Sequence, residues 1–244
     1  MTERYTLTPR PRPTLKSMII ERGRIYFFYR PRVERQQPSG FEDVQRFQVI
    51  LSTHEKKLYR NIVVGHKQLP NPAAAGRAKF WGYVETASRD PDVIKKGLSE
   101  ETYETKTRGT RHQPASRPAG EGVYAFLNHG PHMHLIYILE WPKDLGPVQH
   151  ALNIHSEASY IVAVKDVTVW PPDEIRFVPM KNTAELNEPG TEIVLISAAA
   201  DVSRELGIDL GRDEQDFDTA HVFEDLRLHE ADHPAEPLIY GEWA

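Results

Sequence analysis

Alternating apolar and polar positions dominate the first half of the chain and predict β-strands. Residues 24–30 (RIYFFYR) are rich in aromatic and branched side chains, and residues 44–52 (VQRFQVILS) alternate early and become wholly apolar late. Similar short runs over residues 59–64 and 80–85 predict two more strands. Because the connections between these strands are short, we expect an antiparallel, meander-like sheet.

Helix signals in the chain are short. Asp90 can cap a helix, Pro91 suits its first position, and Gly97 can end it. Apolar runs over residues 159–167 and 191–197 predict further strands. Further helices are predicted over residues 146–153 and 202–206, and weaker signals indicate a strand over 175–179 and a helical turn over 182–186.

Two apolar strands around residues 128–131 (NHGP) predict a hairpin. With these four residues as its loop, Leu127 pairs with His132 and Ala125 pairs with His134. Both histidines then share one face of the hairpin. The opposite face carries Met133, Leu135, Tyr137 and Leu139.

Together these elements predict an α+β fold dominated by mixed, mostly antiparallel β-sheet that could close into a barrel, with a few short helices. The predicted organisation is an extended basic arm over residues 1–17, one α+β domain over 18–207, and an acidic C-terminal segment over 208–244. Residues 23–68 and 122–168 follow a similar order of strands, so a duplicated sheet motif is one interpretation.

Composition excludes several kinds of chemistry. The chain has no cysteine, which removes disulfides, thiolate nucleophiles and cysteine-rich metal sites. Its polar first residues lack the apolar core of a secretory signal, and no apolar run approaches the length of a membrane span. We therefore expect a soluble, cytoplasmic protein that does not contact membranes.

The net charge of −5 conceals a strong asymmetry between the two halves. Residues 1–120 hold 23 Lys/Arg and 12 Asp/Glu, a net charge of +11, whereas residues 121–244 hold 7 and 23, a net charge of −16. A basic half could attract nucleic acid or another polyphosphate. Alternatively, the two halves pack together and their charges offset each other.

The segment over residues 103–122 looks like a polar, cationic loop that leads into the hairpin. Its candidate ligand-binding residues are Lys106, Arg108, Arg111 and Arg117, and its glycines let backbone N–H groups approach an anion. No phosphate-binding P-loop or dinucleotide fingerprint is present. The segment predicts binding of a phosphate-bearing ligand, nucleic acid or nucleotide, unless its arginines pair with neighbouring carboxylates.

Aromatic residues flanked by arginines suggest a base-stacking surface on the first strand. Tyr26 and Phe28 share one face, with Arg24 and Arg30 at its ends. Such residues stack on bases in single-strand binders. The alternative interpretation places both rings in the core.

An enzymatic alternative assigns phosphoester or nucleotide hydrolysis to the same cationic segment. The arginines would hold phosphate, His112 would move a proton, and Glu104 would orient water. A further alternative is a non-catalytic protein-interaction module that docks through the acidic C-terminal segment.

The histidines of the hairpin suggest a metal-binding alternative. His132 and His134 are spaced so that two imidazoles can converge on a divalent metal, with Glu140 as a further ligand. This pattern resembles the HxH…E signature of cupins, which are small double-stranded β-barrel metalloproteins. It departs from that signature because five residues separate His134 from Glu140, and because His150 follows too closely for the later hairpin. Hydrogen-bonded structural histidines are the alternative.

Overall fold

Strands dominate the computed structural model, which describes residues 19–55, 57–168, 175–202 and 220–244. The strands are β1 (Ile19–Pro31), β2 (Val44–Thr53), β3 (Tyr59–Val64), β4 (Lys79–Ser88), β5 (Glu101–Thr105), β6 (Gly109–Gln113), β7 (Arg117–His129), β8 (His132–Trp141), β9 (Glu157–Lys165), β10 (Phe177–Pro179) and β11 (Glu192–Ala199). The α-helices are α1 (Pro91–Leu98), α2 (Pro147–Leu152), α3 (Val222–Asp225) and α4 (Glu236–Ile239). Short 3₁₀ turns cover Phe41–Asp43, Gly65–Lys67, Pro72–Ala74 and Thr183–Asn187.

Eight of the strands form a closed barrel in the order β9-β11-β4-β3-β2-β1-β7-β8, and pairing of β8 with β9 completes the circle. The end of β9 also pairs with β10, and β5 pairs with β6 as a separate two-stranded sheet. Every strand pairing in the described residues is antiparallel. The predicted β-rich, mostly antiparallel fold with short helices is confirmed, and its sheet is a closed barrel.

Alternate residues of the barrel strands point inward and fill the interior. The ring of Phe27 stacks on Phe47 at 6.2 Å and meets Tyr137 edge-on at 5.0 Å. A pocket between inward side chains such as Phe27, Ile62 and Tyr160 measures about 10 Å³, at the lower limit for one water molecule. Side chains therefore fill this part of the interior, as in small barrels generally.

A buried ion pair joins the starts of β1 and β3. Arg60 is fully buried and donates two hydrogen bonds to Glu21, at 2.6 and 3.0 Å, and one to the Asn187 side chain at 2.9 Å. Tyr124 donates to the same carboxylate at 2.8 Å. Burial acts to raise the pKa of Glu21, but the hydrogen bonds and charge of Arg60 lower it overall.

The outer face of β1 and β2 is covered by α1 and by the C-terminal residues. Tyr26, Phe28 and Ile50 pack there against apolar residues of both segments. The covering residues are Ile94, Leu98, Val222, Leu226, Leu228 and Leu238. The described part of the predicted acidic segment, residues 220–244, therefore packs on the barrel through its apolar side chains.

The β7–β8 hairpin is tighter than the sequence indicated. His129 pairs with His132 and Leu127 pairs with His134, so the predicted four-residue loop and its register were wrong. Residues 130–131 alone form the turn, which the glycine permits with a φ of 62°. Because the register differs by two residues, each side chain keeps its predicted face. The predicted opposite face, Met133, Leu135, Tyr137 and Leu139, lies in the barrel core.

The other predicted elements fall close to their observed positions, including the short strand and turn between residues 175 and 187. The predicted arm over residues 1–17 lies outside the described residues, as do 203–206 of the last predicted helix. Residues 23–68 and 122–168 each form three-stranded antiparallel meanders, β1–β3 and β7–β9. Their origin by duplication stays a prediction.

Replacement of Arg60 by alanine is expected to reduce the free energy of unfolding by about 3–5 kcal/mol, because Glu21 would remain buried without its cation. The matched control is Arg227→Ala, which removes an exposed pair with Asp92 and should cost less than about 1 kcal/mol. Urea unfolding followed by circular dichroism measures both. A loss at Arg60 no larger than that at Arg227 would contradict the stabilising role of the buried pair.

Candidate functional site

The segment predicted to be a cationic loop is largely a projecting β-ribbon. β5 and β6 pair from Glu101 with Gln113 to Thr105 with Gly109, so the prediction of an irregular loop over residues 103–122 was wrong. Thr105 organises the turn, since its hydroxyl donates to the Gly109 carbonyl and accepts from the Arg108 N–H, both at 3.0 Å. β5 (ETYET) and β6 (GTRHQ) lack the alternation of apolar and polar residues that marks a half-buried strand, so the sequence pattern did not indicate them.

The ribbon, here meaning β5, β6 and their turn, carries exposed cations at its tip. Lys106 and Arg108 are exposed, and neither side chain forms an ion pair or hydrogen bond with another described residue. Arg111 lies opposite Tyr103 on the ribbon and approaches Glu34 at 3.4 Å. The structure thus brings three of the four predicted anion ligands onto one protruding element.

Arg117 is separated from these three residues. It lies at the start of β7, is buried, and donates to the backbone carbonyl of Gln36 at 2.5 Å. Burial lowers its pKa, and its Nε finds no hydrogen-bond partner among the described groups. Arg117 therefore holds the start of β7 against the segment that contains Gln36.

A cleft of about 720 Å³ opens at the base of the ribbon, beside α1 and the outer face of the barrel. Its lining residues come from β1, β2, β4, α1 and the start of β5. They are Arg30, Arg46, Glu85, Thr86, Asp92, Lys95, Lys96, Gly97, Ser99, Glu100 and Glu101. The cleft is large enough for part of a ligand and adjoins the ribbon through Glu100 and Glu101.

A chain of hydrogen bonds fixes the floor of the cleft. Arg30 Nε donates to Ser116 Oγ at 3.1 Å, and that hydroxyl donates to Gln48 Oε1 at 2.9 Å. Gln48 Nε2 donates to Asn61 Oδ1 at 3.5 Å, and Asn61 Nδ2 donates to Glu85 Oε2 at 3.0 Å. A connected polar network of this kind holds its members in defined positions. The floor is thus rigid and polar.

Sequence reasoning missed most of this network. Gln48, Asn61 and Glu85 are polar residues at outward positions of otherwise apolar strands, and that contrast was the available signal. The sequence did not indicate that these side chains form one network, because it is linked by a hydrogen bond between Ser116 and Gln48, which are 68 residues apart in the chain.

Two of the four carboxylates that line the cleft pair with arginines of the protein itself. Glu85 pairs with Arg46 at 2.6 Å, Glu100 with His112 at 3.1 Å, and Asp92 with Arg227 at 2.8 Å. Lys95 and Lys96 form no ion pair with another described residue. The cleft therefore presents two lysines to a ligand, beside the carboxylates of Glu100 and Glu101 at its ribbon end.

Ion pairs leave the charge asymmetry of the two halves in place. Several cations of residues 1–120 pair with carboxylates of the same half: Arg35 with Asp43, Arg46 with Glu85, Arg60 with Glu21, and Arg111 with Glu34. Arg24 does pair across to Glu121 and Glu140, at 3.2 and 3.5 Å. Within the described ranges, pairing inside the basic half preserves its excess of positive charge.

The two proposed catalytic residues lie on the exposed ribbon. His112 contacts Glu100 at 3.1 Å and Gln36 at 2.7 Å, and Glu104 accepts a short hydrogen bond from Thr110. Glu104 is exposed and His112 is half-exposed. The structure does not gather them in an enclosed pocket where water could be excluded.

Tyr26 and Phe28, the predicted stacking residues, are fully buried beneath α1 and the C-terminal residues. The hydroxyl of Tyr26 donates a short hydrogen bond to Asp225, which fixes the ring against α3. Neither ring presents a face to a nucleic acid base in this structure.

The predicted metal ligands are divided between the two ends of β8. His132 and His134 lie beside His129, whose ring centroid is 5.5 Å from that of His134. Glu140 is six residues further along the strand, which places it about 20 Å away, next to Arg24 at 3.5 Å. Among the described residues, no group of three His, Asp or Glu side chains could hold a metal ion.

His134 is the most perturbed of these histidines. It is buried on the outer face of β8, and its Nδ1 lies 3.0 Å from the Ser159 hydroxyl. Burial, followed by the positive charges that His129 and His132 would carry, lowers the pKa of His134 to about 4. The neutral imidazole is therefore the form that the folded protein favours.

Comparison with known proteins identifies no relative: no family model, curated protein or solved structure matches this chain. Within the described residues, no helix is both long enough and apolar enough to cross a membrane.

Acidification is expected to destabilise the protein through His134. Its pKa falls from an ordinary 6.5 to about 4 on folding. Between these pH values, the unfolded chain binds a proton at His134 and the folded protein does not. The stability that this residue contributes is therefore lost as the pH falls from 6.5 towards 4. After allowance for solvent screening, we expect a loss of about 1–2 kcal/mol.

Urea unfolding at pH 7 and pH 4.5 measures this effect in the wild type, in His134→Gln and in the exposed-residue control His54→Gln. His134→Gln should lose about 1–2 kcal/mol less stability on acidification than the other two proteins. His155 and His233, whose pKa values burial also lowers, titrate in all three proteins. Equal losses in all three would show that His134 does not carry the effect.

Proposed function

We propose that this protein binds nucleic acid, with the ribbon and the adjoining cleft as its contact surface. The observation that carries the proposal is the pair of exposed cations at the ribbon tip, Lys106 and Arg108, which form no ion pair within the described residues. A lysine or arginine held away from carboxylates can neutralise a phosphate and release its counterions, which drives association.

The shape of the ribbon supports this function. A two-stranded antiparallel ribbon can enter a groove of a duplex or lie along a single strand. Its five paired positions, from Glu101 with Gln113 to Thr105 with Gly109, hold the tip away from the barrel. Tyr103, 38% exposed beside Arg111, adds an aromatic surface next to a cation.

The cleft adds two lysines between the ribbon and the barrel. Lys95 and Lys96 lie on α1, and Glu100 and Glu101 connect the cleft to the ribbon. A ligand that spans both regions would meet several separated cations, which suits a chain of phosphates better than one small anion. The excess positive charge of the basic half would also attract such a polymer from a distance.

Hydrolysis by His112 and Glu104 receives less support from the geometry. A general acid or base works best in a site that positions the substrate and restricts water, whereas Glu104 is exposed on the ribbon. We therefore propose binding as the activity of this surface.

The double substitution Lys106→Ala/Arg108→Ala is expected to weaken binding and reduce its salt dependence. Each lost phosphate contact lowers the slope of log K against log salt by about 0.7–0.9, so the two together should lower it by about 1.4–1.8. Fluorescence anisotropy with labelled RNA and DNA oligonucleotides over a salt series measures the slope.

The charge-matched control is Arg176→Ala/Lys181→Ala, which removes two exposed cations that flank β10. It should leave the slope close to that of the wild type. Equal slopes for the wild type and the ribbon variant would place the phosphate contacts elsewhere. Absence of salt-sensitive binding to any oligonucleotide would refute the proposed function.

A further inference from the structure

The outer face of β4 presents a row of cationic and aromatic side chains. Gly82 and Val84 face the barrel interior, so Lys79, Trp81 and Tyr83 point outward, about 6.6 Å apart at successive positions. Trp81 is 43% exposed, and its ring centroid lies 5.5 Å from that of Tyr83. These three residues are called the aromatic row below.

The indole of Trp81 is held in place from its side. Its Nε1–H donates to Glu192 Oε2 at 3.1 Å, and Glu192 is also bound by Lys165 through a short ion pair. These contacts fix the edge of the ring while leaving part of its surface exposed. A ring already held in one orientation loses little conformational freedom when a ligand stacks on it.

The aromatic row leads directly into the cleft. Glu85 is the next outward residue after Tyr83 on β4, and it lines the cleft together with Arg46. Lys79, at the other end of the row, is exposed and forms no ion pair with a described residue. Two aromatic rings, with Lys79 at one end and the cleft at the other, therefore continue the proposed contact surface.

We infer that the aromatic row is a base-stacking subsite and that the polymer bound is single-stranded nucleic acid. This inference rests on the proposed function. Bases stack on exposed aromatic rings only when they are unpaired and accessible, while lysines and arginines beside the rings contact the backbone. The row supplies both kinds of contact along one strand, and it takes the role that the sequence suggested for Tyr26 and Phe28.

The test compares the wild type with Trp81→Ala and Tyr83→Ala, using labelled 15-residue oligo(U), oligo(dT) and a duplex of the same length. Each substitution should weaken binding of the single strands by roughly 5- to 100-fold. The salt slope should stay unchanged, because an aromatic ring displaces no counterions. Binding of the duplex should change little.

Two variants serve as controls. Trp81→Phe keeps an aromatic ring and should retain most of the affinity, with a smaller quenching of tryptophan fluorescence on binding. Tyr240→Ala removes an aromatic residue that is 69% exposed elsewhere and should bind as the wild type does. Thermal unfolding of every variant confirms that it folds.

The outcomes separate this inference from the proposed function. If Trp81→Ala and Tyr83→Ala bind single strands as the wild type does while the ribbon variant binds weakly, the subsite is refuted and the ribbon function stands. Equal losses for the duplex and the single strands would likewise overturn the single-strand assignment. A wild type that binds no nucleic acid would overturn both.

Discussion

Closure of the barrel by the pairing of β8 with β9 is the constraint on which the rest of the structure depends. It removes the free sheet edges that these two strands would otherwise present, and it encloses the inward side chains in a packed core. The pocket among the inward side chains measures only about 10 Å³, whereas a cleft of about 720 Å³ lies on the outer surface. The outer faces of the strands and the connections between them thus become the available binding surface.

These outer faces differ in how they are covered. Over β1 and β2, α1 and the C-terminal residues bury Tyr26 and Phe28, and hydrophobic burial stabilises their attachment. At the edge of that cover, the polar network from Arg30 to Glu85 forms the floor of the cleft. The covered apolar face of β1 and β2 therefore ends where the polar network begins, and the accessible cleft lies beyond it.

The ribbon, the cleft and the aromatic row complement one another in the proposed binding mode. The ribbon supplies unpaired cations, the cleft supplies Lys95 and Lys96 above a rigid floor, and β4 supplies Trp81 and Tyr83. Phosphate contacts would provide affinity that depends on salt, and stacking would provide affinity that does not. One contiguous surface can thus combine two physically different interactions.

The sequence by itself determined the barrel strands, although not β5 and β6, and the short helix at Pro91, because alternation and capping are local properties of the chain. The sequence also identified Lys106 and Arg108 as candidate anion ligands, but it did not predict the β5–β6 ribbon that carries them. Only the tertiary structure decided that Tyr26 and Phe28 are covered, that Gln48 meets Ser116, and which aromatic rings remain accessible. These contacts and exposures depend on which segments, distant in sequence, pack together. A local sequence pattern does not determine that packing.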